Sequence, residues 1–207
     1  MPVTELALLR LTPSTSLTSP PLRSALSSAK KAMASFTGYP FYFYTQIKDP
    51  TYIYVIGRWD SLEQHVSEWI PGDENQRVLE SLKGLLDVVS LMHLDLDWHE
   101  GGIPVEAGVL AIERFGVKDG QKEEFIDLVK GDKDELERVC APMPVAGEWR
   151  IDCEMSEGIE AKEEYVLFTG WDDVHQHEKF AQTKKNHGKM GDSSEILDVE
   201  HAVRWDI

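Results

Sequence analysis

Tyr52-Ile53-Tyr54-Val55-Ile56-Gly57-Arg58-Trp59-Asp60-Ser61-Leu62-Glu63-Gln64-His65 returns as Glu164-Tyr165-Val166-Leu167-Phe168-Thr169-Gly170-Trp171-Asp172-Asp173-Val174-His175-Gln176-His177. Trp59 and Trp171 stand 112 residues apart, and so do His65 and His177. Each stretch is a β-prone run that ends in tryptophan and passes through Asp-Ser or Asp-Asp into a helix start. The likeness extends outward. Ala7-Leu8-Leu9-Arg10-Leu11 resembles Ala111-Ile112-Glu113-Arg114-Phe115, and Leu86-Asp87-Val88 through Trp98 is echoed by Leu197-Asp198-Val199 through Trp205. Solenoid units run to roughly 20–50 residues, so a repeat of this length predicts two whole domain-sized halves.

Both halves read in the same order. Val3 to Leu11 is a strand. Ser19-Pro20-Pro21 opens a helix with an N-cap residue and first-turn proline, Leu22, Ala25, Leu26, Ala29 and Met33 form its apolar face, and Gly38 ends it. Phe41 to Ile47 and Tyr52 to Trp59 flank the turn signal Lys48-Asp49-Pro50-Thr51 and predict a hairpin. A second helix starts at Asp60-Ser61, breaks at Pro71-Gly72-Asp73 and restarts over Gln76 to Leu86; Asp87 to Trp98 closes the half as a strand. The second half predicts strand 107–116, helix 119–138, hairpin 146–154 and 163–171, helix 173–184 and strand 197–206. Residues 1–98 and 107–207 are the two halves, and the paired glycines and proline of 99–106 make the linker.

The 207 residues hold 21 Lys plus Arg and 37 Asp plus Glu, a net charge of −16. That balance excludes a generic nucleic-acid binder and argues against docking on anionic membranes. Residues 1–104 carry 8 basic and 12 acidic side chains, net −4, and residues 105–207 carry 13 and 25, net −12. The acidity reads either as a cleft for neutral or cationic ligands or as solvated helix faces. Leu6 to Leu11 is interrupted by Arg10, so neither a signal segment nor a membrane helix is expected there. Cys140 and Cys153 are too few for a disulfide scaffold, and a cytoplasmic protein with reduced thiols is expected.

A strand ending in Trp59-Asp60-Ser61 or Trp171-Asp172-Asp173, within a βαββαβ order in each half, resembles the dimeric α+β barrel superfamily. That group includes antibiotic-biosynthesis-monooxygenase-like proteins, stress-responsive A/B barrel proteins and small polyketide cyclases. The resemblance covers nearly the whole chain and implies an α+β fold: two tandem ferredoxin-like halves packed sheet to sheet as one pseudo-dimeric barrel. Fused copies are associated with fungal members. They imply a monomer that is its own pseudo-dimer, or a homodimer of it, with a ligand cleft between sheet and helices.

The resemblance also directs attention to the helix after the tryptophan. Cyclase-like members use a tyrosine there and a later histidine as an acid–base pair; here Phe180 stands near the first position and His187 near the second. Haem-degrading relatives place a tryptophan on this helix and an axial histidine beyond it. Trp69 matches the tryptophan, but residues 66 to 92 contain no histidine, so no cofactor is expected. His65 and His177, each one turn into a helix and each after a glutamine, read as general bases at the clefts or as packing residues kept from duplication. His175 and His177 point about 200° apart on a helix, so no metal is expected. Gly101-Gly102 lacks the surroundings of a phosphate loop, and no nucleophile elbow occurs. Along Tyr39 to Tyr44 alternate aromatics face opposite sides of the sheet. Tyr42 and Tyr44 are expected on the cleft side, with Trp69, Phe180 and Trp149 as further substrate contacts.

These readings converge on a cofactor-independent enzyme of secondary metabolism that handles a small aromatic or polyketide-like molecule. His187, His177 and His65 are its candidate proton-transfer groups, and the reaction is ring closure, dehydration or cofactor-free oxygenation. Two alternatives stand beside it: a non-catalytic, stress-responsive ligand-binding barrel, and an interaction module using the acidic second half.

Overall fold

The computed structural model describes residues 1–98, 102–152, 163–187 and 194–207. The chain forms two compact units, one of residues 1–97 with 203–207 and the other of residues 98–202. Trp98 therefore belongs with the second unit, and the last five residues return to the first. His99, Glu100 and Gly101 of the expected linker lie outside the described residues.

The first unit runs β1 (Val3–Leu11), α1 (Pro20–Thr37), β2 (Phe41–Gln46), β3 (Tyr52–Trp59), a π-helical turn (Gln64–Trp69), α2 (Asp73–Leu82) and β4 (Leu86–Leu94). Its strands lie in the order β4-β1-β3-β2, antiparallel throughout. This is a ferredoxin-like α+β arrangement. Its local causes are visible in the sequence. The Gly38 amide caps α1 by donating to Ala34 O at 2.9 Å, in a left-handed conformation (φ 79°) that suits glycine. In the β2–β3 turn Asp49 Oδ1 accepts from the Thr51 amide at 3.0 Å and the Thr51 hydroxyl at 2.7 Å, an aspartate turn that holds the hairpin.

One face of this sheet packs on the helices. Val3, Ala7, Leu9 and Leu11 of β1, Phe41 and Phe43 of β2, and Ile53, Val55 and Trp59 of β3 meet Leu22, Ala25, Leu26, Trp69 and Leu82 in a single cluster. Phe41 and Phe43, not Tyr42 and Tyr44, take the helix side, so the expected facing of that strand is reversed. Tyr44 is buried, and Tyr42 lies under the Arg204 guanidinium at 5.0 Å. The chain end completes the unit: the Trp205 amide donates to Phe43 O at 2.7 Å, and the Arg23 guanidinium lies 5.4 Å over the Trp205 ring.

The second unit runs β5 (Val109–Val117), α3 (Lys122–Cys140), β6 (Ala146–Trp149), β7 (Glu163–Trp171), α4 (Val174–His187) and β8 (Ser194–Arg204), with strand order β8-β5-β7-β6. Val109 faces Trp171 as Val3 faces Trp59. The pairing of β1 with β4 slips between Leu8 and Leu9, and that of β5 with β8 slips between Arg114 and Phe115. By these registers the first strands correspond at a spacing of 106 residues. Matching Ala7-Leu8-Leu9 to Ala111-Ile112-Glu113 uses 104 and is displaced by two. A two-residue shift keeps every side chain on its face, so the displaced match looks equally good as a pattern. The registers place Glu113 where the first unit has Ala7, and Ala111 where it has Glu5. Among the described residues no helix is long and apolar enough to cross a membrane.

Gly57 sits in β3 directly opposite Phe41. A Cβ added there would run into the Phe41 ring, itself fully buried in the core cluster. Gly57→Ala is therefore expected to cost about 2–3 kcal/mol through overpacking, read as a lowered urea midpoint with unchanged slope. A midpoint equal to the parent's would show that Phe41 can move aside.

Candidate functional site

The second helical segment of each unit begins with the same device. The Gln64 amide donates to Ser61 Oγ at 3.0 Å while its side-chain oxygen accepts from the Asp60 amide at 2.9 Å; Gln176 does the same with Asp173 Oδ1 at 2.9 Å and the Asp172 amide at 3.0 Å. These reciprocal caps satisfy helix-end amides and set the entry angle of the next residue, His65 or His177. Both histidines are thereby turned inward and buried.

Each meets a second histidine from the last strand of its unit. His65 Nδ1 lies 2.6 Å from His93 Nε2, and His177 Nδ1 lies 2.7 Å from His201 Nε2. Both pairs have ring centroids 4.9 Å apart with planes at 66°. At these distances one ring donates an N–H to the other. Matching the strand ends on Trp98 and Trp205 puts His93 and His201 out of step, so neither stands out in the sequence as a site residue. The registers align them: His93 is opposite Glu5, and His201 is opposite Ala111.

The carboxyl partner differs between the units. Glu5 is buried, accepts from Trp59 Nε1 at 2.7 Å and lies 3.9 Å from His65 Nε2. The Trp59 ring stacks on His65 at 4.0 Å with planes only 11° apart. Burial pushes the Glu5 carboxyl up to about 7, against the opposite pull of the Trp59 hydrogen bond and of His93. In the second unit Trp171 Nε1 donates instead to Thr169 Oγ1 at 2.8 Å, and Glu113, one pleat further along its strand, stands 3.3 Å from His177 Nε2. Burial and the neighbouring His177 hold the His201 imidazole below its ordinary value.

The π-helical turn accounts for one more difference. The Ile70 amide donates to His65 O at 2.9 Å, five residues back. Trp69 stands four positions after His65, but Phe180 stands three after His177. Trp69 nevertheless packs on Trp59 (5.9 Å, 45°) much as Phe180 packs on Trp171 (5.5 Å, 43°). The widened turn absorbs one extra residue and keeps both aromatic contacts, as π-bulges do.

A cavity of about 530 Å³ lies in the first unit between the helix-facing side of the sheet and α1, the π-helical turn and α2. Glu5, His65 and Trp69 line its buried inner end, Ala7, Leu9, Phe43 and Val55 its floor, and exposed Leu79 and Val88 with Glu80, Lys83 and Asp87 its rim. Its size and apolar lining suit a small organic ligand. Of the aromatic residues expected at the substrate, Trp69 lines this cavity and Tyr42 and Tyr44 do not. Trp149 and Phe180 pack in the second unit, Trp149 edge-on to Phe125 and Tyr165 with the Lys122 ammonium 4.5 Å over its ring. His187 ends α4, and its side chain lies outside the described residues.

His175 is exposed while His177 is buried, and among the described residues no group of three or more His, Cys, Asp or Glu is placed to hold a metal ion. Cys140 is buried, which pushes its thiol up to about 11 and makes it a poor nucleophile near neutral pH. Cys153 lies outside the described residues.

No family model and no curated protein matches the chain. Solved structures do. A haem-binding protein from Thermus thermophilus aligns with a TM-score of 0.63 at 10% identity, covering 99% of this chain and 91% of its own. An anthrone oxidase-like protein aligns at 0.60 and 14% identity, covering 99% and 92%. A monooxygenase candidate from Lactobacillus acidophilus NCFM aligns at 0.58 and 14%, covering 98% and 93%. At these identities the likeness is one of fold, the ferredoxin-like α+β fold of chlorite-dismutase-like and monooxygenase-like proteins.

The buried carboxyl makes a prediction about stability. With an ordinary value of 4.5 and a folded value of about 7, Glu5 binds more protons folded than unfolded across that interval. Its burial therefore costs progressively more as pH rises from about 4.5 to 7 and levels off above. Glu5→Gln keeps an acceptor for Trp59 and cannot ionise. Relative to the parent it is expected to gain up to about 3 kcal/mol between pH 4.5 and pH 8, measured by urea unfolding at both. A difference that does not change with pH contradicts the burial of an ionisable Glu5.

Proposed function

We propose that the chain is a cofactor-independent enzyme that binds a small aromatic or polyketide-like molecule in the first-unit cavity and moves protons on it through Glu5, His65 and His93. One observation carries the reading: a carboxyl group poised near neutral pH lines the inner end of an apolar cavity, with a hydrogen-bonded imidazole pair beside it. A general acid–base group works best when its pKa lies near the working pH. Glu5 takes a proton from an acidic C–H or O–H of the substrate and returns one to the product. His65, tied to His93, relays protons and compensates charge in a dry site.

The same arrangement serves ring closure, dehydration or, with dioxygen as co-reactant, oxygenation. In the last case an anthrone methylene loses a proton and adds dioxygen. The hydroperoxide then loses water, so that CH2 and O2 become C=O and H2O. The name of the anthrone oxidase-like neighbour is what brings this substrate forward. Duplication of one ancestral half, a fungal-type lineage and a role in secondary metabolism belong to the same proposal. In it the second unit's Glu113, His177 and His201 are a divergent copy of the proton-transfer array, with His187 beyond them on α4.

Haem enters because one neighbour is named for it. The first-unit cavity does not fit it. Its one lining imidazole, His65, has Nδ1 bonded to His93, its Nε2 turned to Glu5 and its face covered by Trp59, which leaves no nitrogen aimed at an iron.

The test is consumption of a hydroxylated anthrone under air, followed by absorbance and oxygen uptake. His65→Ala and Glu5→Gln are each expected to lower kcat/KM by about a hundredfold or more with retained fold. His93→Ala should shift the pH profile more than the KM. Loss on His177→Ala with His65→Ala fully active moves the reaction to the second unit. Undiminished turnover in every one of these variants removes the proposal.

A further inference from the structure

The charged groups of the first-unit cavity are unevenly matched. Glu5 lines the inner end, Glu80 and Asp87 stand at the rim, and Lys83 is the one ammonium among the lining residues. The Lys83 ammonium is already beside the Glu80 carboxylate at 3.4 Å, both side chains reaching into solvent. The lining amides offer no cation-like donor either: Asn75 and Gln76 both direct their NH2 groups to Ile70 O, at 3.0 and 2.9 Å. The remaining wall is apolar or aromatic, with Trp69 and Phe43 among the lining residues.

A ligand anion at the inner end would be set beside the Glu5 carboxyl and pass a rim that stays net negative through Asp87 once Glu80 and Lys83 offset each other. A ligand cation would find the opposite. Its charge pairs with an ionised Glu5, so neither is left buried alone, and aromatic faces are favourable neighbours for it. The chain's net charge of −16 adds long-range attraction of the same sign.

We propose that the first-unit cavity selects a flat apolar molecule bearing a protonated amine, with the ammonium against Glu5 and the ring system against Trp69 and Phe43. This rests on the cavity being the ligand site of the proposed function and narrows its small aromatic ligand to one that carries an amine. Five ionisable groups surround the pair: His65 and His93 at the inner end, and Glu80, Lys83 and Asp87 at the rim. An ammonium arriving beside Glu5 favours the ionised carboxyl, so binding below neutral pH expels a proton from it.

The experiment titrates the full chain with three isosteric probes, 1-naphthylmethylamine, 1-naphthalenemethanol and 1-naphthoic acid. Calorimetry is run at pH 6 and pH 8 in buffers of different ionisation enthalpy. The amine is expected to bind about tenfold or more tighter than the alcohol and the acid weakest, with up to about one proton released at pH 6 and little at pH 8. Glu5→Gln should bring amine and alcohol within about threefold and abolish the proton release. Should that variant not fold, the order of the three probes and the proton count in the parent decide alone. Binding of the acid as tight as the amine overturns the inference, and so does an amine preference that survives Glu5→Gln. Failure of all three to bind removes the cavity as a ligand site and the proposed function with it. An amine preference without anthrone turnover leaves this inference standing and removes only the catalytic reading.

Discussion

A carboxyl group that folding strips of water sets the character of the first unit. Glu5 sits in the first half of β1, a strand whose helix-facing neighbours Val3, Ala7, Leu9 and Leu11 all join the core. A charged side chain in that row would ordinarily be a fault in the pattern. It is tolerated because Trp59 supplies a hydrogen bond from the neighbouring strand and the bonded His65–His93 pair stands beside it, His65 Nε2 at 3.9 Å. The Trp59 ring stacks on His65 beside it, and burial pushes the carboxyl up to about 7.

The rest of the first unit can be read as support for that arrangement. The reciprocal cap around Gln64 fixes where His65 enters, the π-helical turn returns Trp69 to the Trp59 ring, and β4 brings His93 level with Glu5. The second unit keeps the cap and the imidazole pair but moves the carboxyl one pleat along its first strand and gives the tryptophan a threonine hydroxyl instead. Identical imidazole geometry with a relocated acid separates what packing demands from what can vary. The pair bridges helix and sheet in both units, while the acid's position decides how deeply its charge is buried.

Much of the fold was legible in residues. The β-prone run into Trp59-Asp60-Ser61, the proline-led opening of α1, Gly38 and the Asp49 turn each act through contacts a few residues long. Their outcomes follow from local chemistry. Aromatic alternation in β2 predicted two faces correctly but put Tyr42 and Tyr44 on the helix side, because Tyr42 and Phe43 are equally good strand residues and nothing local separates them. The choice came from what packs on them: Phe43 is pinned between β3 and the helices, and Tyr42 stacks under Arg204 from the far end of the chain.

The sequence by itself determined the order of elements, the recurrence of tryptophan, glutamine and histidine at the helix starts, and the acidity of the whole. All of these are properties of short segments or of composition. Tertiary structure alone decided that Glu5, Trp59, His65 and His93 would meet, across separations of up to 88 residues. Their meeting depends on strand register. A shift of two residues preserves every local preference and every alternation of faces, yet it exchanges Glu5 for Ala7 at the core. Only the pairing of whole strands, with its bulge at Leu8 and Leu9, distinguishes the two.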